Sequence, residues 1–455
     1  SALTTAITSA GVRDRSSATL SRIASRSTTA SDRTMAPILP EGPVAPAAPC
    51  AVAVGPPILS SVPVSDFTDS GIERLHRVLA RHVDGGAVPG LVALVDRGGR
   101  TEVVCLGERS IGGPPVTRDT IFRISSMSKP ITAVAALMLV EECVLRLDDP
   151  VDDLLPELAD RRVLTRLDAP LYDTVPAERS ITVRDLLTST MGFGQVMADP
   201  ADVPVVAAAN ERAIGMGPPD PGATPAPDEW LRRLGELPLM FQPGRRWAYH
   251  VPMEVLGVLI ARAAGMALSR FLAERVFGPL GMADTGFSVP AGSLDRFVTS
   301  YRPDPETGAL SVYDPVDGAW SRPPAFESGG GGLVSTADDL LAFGRMLRAG
   351  GDPLLSRATV AAMTTDQLTP AQKEVVAWVP WNGAGWGFGV GVAVERVGID
   401  ANPGRFGWDG GMGTSFSCDP GEDLVGTLLT QAMWTSPTAH NVASDFWTAT
   451  YAALV

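Results

Sequence analysis

The sequence predicts an α+β fold. An antiparallel sheet is assembled from the two ends of the chain and flanked by helices, with a helical domain inserted between the ends. Three observations predict this. Residues 89–107 alternate strand, turn and strand, which reads as a hairpin. Residues 385–430 carry four further strand-like runs, which read as a meander. Between them, glycine and proline punctuation cuts roughly 150–320 into short helical segments. The expected layout is a flexible extension at 1–65, a discontinuous sheet domain at 66–149 and 325–455, and a helical domain at 150–324.

Residues 1–34 are rich in Ser, Thr, Ala and Arg and lack an apolar core, so they do not read as a secretory signal. Met35, followed by Ala36 and Pro37, reads as a candidate natural start. No charged-then-apolar leader precedes Cys50, so a lipid anchor there is not expected. Asp66 or Thr68 suits the cap of a helix in which Ile72, Leu75, Val78 and Leu79 recur at helical spacing. Residues 89–96 and 101–107 are the hairpin strands, with the turn at 97–100. Residues 120–124 lead toward Ser126, and a helix follows over 131–145. Residues 182–187, 251–264 and 268–276 open or form further helices. A glycine-rich turn at 329–332 precedes a helix capped by Ser335 or Thr336. Strands follow at 385–394, 405–408, 414–419 and 424–430, and an amphipathic helix at 441–454 closes the chain. There is no internal repeat.

Composition excludes several functions. The 455 residues are 45% hydrophobic, enough for a sizeable core. A net charge of −14 opposes an electrostatic grip on nucleic acid or anionic lipid. The four cysteines are scattered without a C-x-x-C pair, and the four histidines form no H-E-x-x-H. No metal and no cofactor are therefore expected. No run reaches 18 apolar residues, so no membrane span is expected, and a cytoplasmic location is the reading. Oligomeric state is not legible.

The chemistry starts with a lysine. Of 37 Lys+Arg only Lys129 and Lys373 are lysines. Lys129 lies three residues after Ser126, at the head of an apolar run. Residues i and i+3 share a helix face, so the amine lies beside the hydroxyl. A buried lysine gives up its proton at workable pH, whereas arginine does not. Ser126 is thus read as a nucleophile at a helix N-terminus, where dipole and N–H groups favour negative charge. Alone, Ser126 also reads as a helix cap, a role Ser125 or Ser128 would fill equally.

Other blocks extend the pattern. Pro243-Gly244-Arg245-Arg246-Trp247-Ala248-Tyr249-His250 is one, and Phe406-Gly407-Trp408-Asp409-Gly410-Gly411-Met412-Gly413-Thr414 another. Residues 181–188 and 330–338 support them. With Ser126-Met127-Ser128-Lys129, these blocks make residues 66–455 resemble the serine β-lactamase-like superfamily. Within it, the chain is most similar to the family VIII carboxylesterases, which are related to class C β-lactamases. The resemblance implies a β-lactamase/transpeptidase-like fold and a Ser-Lys-Tyr acyl-enzyme. In it, Ser126 attacks, Lys129 and Tyr249 share the acid–base work, and Gly411 N–H joins the Ser126 N–H in an oxyanion hole. Which of Lys129 and Tyr249 is the base stays open. Trp408, Asp409 and Gly410 would line the substrate pocket. Trp381, Trp386 and Phe388 read equally as pocket or core. An extended backbone at Tyr249 would send His250 elsewhere.

The chain departs from β-lactamase relatives in three places. Val251 stands where they carry the Asn of Tyr-x-Asn, and Lys-Thr-Gly is absent, Trp408 taking the place of its lysine. Met191 and Gly192 lie where relatives often carry His-Thr-Ser-Gly. The expected function is hydrolysis of short, uncharged carboxylic esters. The competing readings are a β-lactamase or D-amino-acid amidase/transpeptidase-like hydrolase, and a silent binding protein. No Gly-x-Ser-x-Gly occurs, which disfavours an α/β-hydrolase.

Overall fold

The computed structural model describes residues 66–196, 201–374, 381–435 and 441–455. The extension expected at 1–65, with Cys50, lies outside the described residues. Helix α1 (Asp69–Asp84) is capped by Thr68, whose hydroxyl accepts from Gly71 N at 3.0 Å. Asp69 sits in its first turn and Arg81 in its last, each matched to the helix dipole. Strands β1 (Gly90–Arg97) and β2 (Arg100–Gly107) form the expected hairpin.

The C-terminal strands complete one antiparallel sheet. They are β3 (Ala384–Trp386), β4 (Gly391–Ala393), β5 (Phe406–Gly410), β6 (Thr414–Asp419) and β7 (Leu424–Thr430). The order is β2-β1-β7-β6-β5-β4-β3. Pairing of β1 with β7, Leu91 opposite Thr430, joins the two ends of the chain. Alternation then sorts side chains to two faces. Leu91, Ala93 and Val95 pack with Leu75 and Leu79 of α1, and with Phe446 and Trp447 of the last helix, Asn441–Tyr451. Val92 and Leu94 join a larger core on the other face. That core includes α2 (Ser128–Glu141), α3 (Val251–Ala264) and α4 (Ala337–Arg348, capped by Thr336).

Four expectations are corrected. The helix expected at 131–145 starts at Ser128 and stops at Glu141. Cys143 turns left-handed at φ 58°, and Leu145 keeps the apolar pattern from outside the helix. The strand expected at 385–394 is broken by a turn at residues 387–390. The last helix ends at Tyr451 rather than 454. The stretch read as helical also holds two small hairpins, Arg162–Leu164 with Thr174–Pro176 and Ser300–Pro303 with Leu310–Asp314. Runs of three to five residues are too short to show a period-two signal. No single described helix is long and apolar enough to cross a membrane.

Candidate active site

One turn of 3-10 helix, Ser125–Met127, delivers Ser126 to the front of α2. Ser126 thus precedes the α-helix and does not lie within it. From Thr120 to Leu139 it is the one residue not fully buried. Ser128 ties the turn down, donating to Ser125 O at 2.7 Å and accepting from Leu333 N at 3.1 Å. No serine side chain caps the helix start, so the capping role the sequence offered to Ser125, Ser126 or Ser128 is not filled by any of them.

Lys129 is wholly buried, and its Nζ lies 3.0 Å from Ser126 Oγ. Two other partners surround it: Gly330 O at 2.6 Å and His250 Nδ1 at 3.3 Å. Burial pushes its pKa down to about 7, against a smaller upward pull from the Glu254 carboxylate. The Tyr249 ring lies 4.4 Å from Nζ.

The Tyr249 segment is fixed by backbone bonds. Gln195 N donates to Tyr249 O at 2.8 Å, Ala248 N to Ser189 O at 2.8 Å, and Trp247 N to Gln372 O at 3.0 Å. The Tyr249 phenol is hydrogen-bonded to Ser126 and accepts from Trp408 Nε1 at 2.5 Å. Burial nonetheless raises its pKa, so the phenol keeps its proton. Trp408 is therefore more than an apolar wall, because it holds the phenol oxygen.

Strand β5 reaches the Ser126 turn through a close approach. A Cβ on Gly410 would stand 2.3 Å from Ile124 O and 2.2 Å from Thr414 Oγ1, so only glycine lets the strand end dock there. Thr414 Oγ1 donates to the same Ile124 O at 3.1 Å. Gly411 follows directly, exposed and with open space around its Cα.

Asp409 does not join Trp408. Neighbouring strand residues face opposite sides, and Asp409 accepts from Ser415 Oγ at 2.5 Å. Arg405 lies on that side too, 3.9 Å from the Trp447 ring. Trp381 and Trp386 cluster with Trp247, Tyr249 and Trp408, whereas Phe388 is part of the main core. Trp386 stands edge-on to Trp408 at 4.7 Å.

His250 is the residue the sequence misplaced. It takes φ 73° and ψ −66°, and Val251 N donates to Tyr249 O at 3.0 Å across it. This is a γ-turn, strained for a non-glycine residue. It turns the ring inward onto Lys129. Its Nε2 meets Glu254 Oε1 at 3.1 Å, and both side chains are buried. Burial and the Lys129 charge keep His250 neutral. Burial pushes the Glu254 carboxyl up, but bonds from His250 and Ser328 outweigh this and keep it ionised. The pair is packed tightly: a Cβ on Gly330 would stand 2.7 Å from Glu254 Oε1. A cavity of about 190 Å³ borders His250, Glu254 and Ser328 but not Ser126.

The Beta-lactamase family model matches residues 75–443. Protein Rv1367c of Mycobacterium tuberculosis is 39% identical over 366 residues, covering 76% of this chain and 87% of its own. Esterase EstB of Burkholderia gladioli is 31% identical over 382 residues, covering 79% and 90%. Among solved structures, EstCE1, described as a hydrolase with promiscuous acyltransferase activity, superposes with a TM-score of 0.71 at 27% identity. It covers 84% of this chain and 99% of its own.

Proposed function

The chain belongs to the Beta-lactamase family, with esterase relatives, and from that premise we propose that it is a serine carboxylesterase acting on short, uncharged esters. The observation that carries this is the buried Lys129 amine 3.0 Å from the Ser126 hydroxyl. A neutral amine at that distance can take the serine proton.

The contacts support the following cycle. Ser126 Oγ attacks the ester carbonyl carbon as its proton passes to Lys129 Nζ. Negative charge gathers on the carbonyl oxygen, which the N–H groups of Ser126 and Gly411 receive. Tyr249 gives its phenol proton to the departing alkoxide as the C–O bond breaks. Lys129 returns its proton to Tyr249, and Trp408 N–H holds the phenol oxygen while it is briefly unprotonated. Water then attacks the acyl-enzyme and the same groups run the steps in reverse. Lys129, with its pKa lowered, is the base in this scheme, and Tyr249, with its pKa raised, is the proton donor. The apolar ring cluster around Trp408 supports neutral substrates, since a charge held there without a partner is costly.

A fluorophosphonate probe and p-nitrophenyl butyrate test the proposal together. Wild type should label and turn over the ester, and Ser126→Ala should do neither. Labelling of Ser126→Ala at the wild-type rate would sink the assignment.

A further inference from the structure

We propose that His250, held by Glu254, is a positioning residue that aims the Lys129 lone pair at the Ser126 hydroxyl. The inference rests on the Ser126–Lys129 reading above and adds two residues to it.

Counting protons carries the argument. A neutral lysine amine has two N–H bonds and one lone pair. Three groups lie within hydrogen-bond range of Nζ: Gly330 O, His250 Nδ1 and Ser126 Oγ. The carbonyl only accepts. His250 Nδ1 also accepts, provided that the ring proton sits on Nε2. Glu254 enforces this, because Nε2 faces its Oε1 at 3.1 Å and a carboxylate only accepts. Both amine protons are then committed, and the lone pair is left for the serine. Without the His250 acceptor, the amine can rotate and offer Ser126 a proton instead. The tautomer is assigned from this network.

The surroundings fit the role. Glu254 is itself fixed by Ser328 Oγ at 2.7 Å and Gly330 N at 3.2 Å. The titratable groups facing Lys129 are His250, Glu254 and Tyr249, and Asp409 acts on Tyr249 from β5. Asp220 lines the cavity behind the pair. The strained γ-turn at His250 is held in place by α3, and strain of this kind persists where the surrounding structure over-determines it.

The test compares ester kcat and KM and the fluorophosphonate labelling rate in wild type, His250→Ala, His250→Asn and Glu254→Gln between pH 5 and 9. His250→Ala should lose about ten-fold or more in kcat with KM changed less than about two-fold. His250→Asn places an amide oxygen where Nδ1 stood and tolerates the positive φ, so it should recover most of that loss. Glu254→Gln still accepts from Nε2 but removes a charge that holds the Lys129 proton. Its activity should stay within a few-fold while the acid limb moves to lower pH. The proposal falls if His250→Ala keeps kcat within two-fold, or if His250→Asn is no better than His250→Ala. Should the His250 variants fail to fold, an unmoved acid limb in Glu254→Gln overturns it. Wild type that does not label would remove the esterase reading itself. Wild type that labels, with His250→Ala labelling equally fast, removes only this inference.

Discussion

The role proposed for Lys129 rests on a site hostile to charge. The unfolded lysine titrates near 10.5 and the folded one near 7. Between these values the unfolded chain holds the extra proton, so stability rises with pH through this window. The difference is of order ~5 kcal/mol against the charged form. Lys129→Met should therefore abolish ester turnover yet raise stability at pH 6 by about 1–3 kcal/mol, the lost Gly330 bond offsetting part of the gain. The gain should shrink by pH 10, and melts at both pH values check it. Lys129→Arg should be nearly as inactive, because arginine stays protonated. In wild type, kcat/KM for an ester should rise with pH through about 7, as the amine becomes neutral. A flat profile from pH 5 to 9 would remove Lys129 as the base. Ser126 and Lys129 stood out in the sequence because their spacing and the scarcity of lysine are local properties, and Tyr249 because its block resembles the family's. His250 did not, because its direction depends on a backbone angle. A γ-turn with positive φ at a histidine leaves no compositional trace.

At the scale of elements, the site depends on how closely β5 approaches the Ser126 turn. Gly410→Ala forces a Cβ against Ile124 O and Thr414 Oγ1, and backbone cannot yield as a flexible side chain would. We expect a loss of about 1–3 kcal/mol in stability, the range for overpacking. Ester kcat should fall with it as the strand end shifts from Ser126. Gly411→Ala meets nothing within 4 Å and should leave the melting temperature unchanged. Equal melting temperatures for the two variants would mean that the approach is not tight. Elements with strong periodicity or a full strand length were legible: residues 251–264, 414–419 and 424–430 match α3, β6 and β7. The hairpin at 300–314 was not. Val312 is 60% exposed and Ser311 is also exposed, so no buried face imposes alternation there.

Across the whole molecule, charge and pocket lining bear on the same choice of substrate. The chain carries a net charge of −14, which opposes the approach of anions. Where the resemblance to β-lactamases would place a lysine stands Trp408, whose N–H is already given to Tyr249. Arg405 was a possible substitute in the sequence, but it lies on the opposite face of the sheet against Trp447. A β-lactam carboxylate would thus meet aromatic rings in place of a cation, and an unpaired charge there is costly. We expect kcat/KM for p-nitrophenyl acetate or butyrate to exceed that for nitrocefin or ampicillin by at least about 100-fold, roughly 2.7 kcal/mol in transition-state terms. Raising salt should help the anionic substrate and leave the neutral ester unchanged, because screening acts only on charge. Trp408→Lys restores a cation but removes the indole donor, so ester turnover should fall while the β-lactam to ester ratio rises. Trp408→Phe separates the two effects. It removes the same donor without adding charge, so it should slow ester turnover and leave the ratio unchanged. A ratio that rises equally in both variants would place the discrimination in Tyr249 rather than in the missing cation.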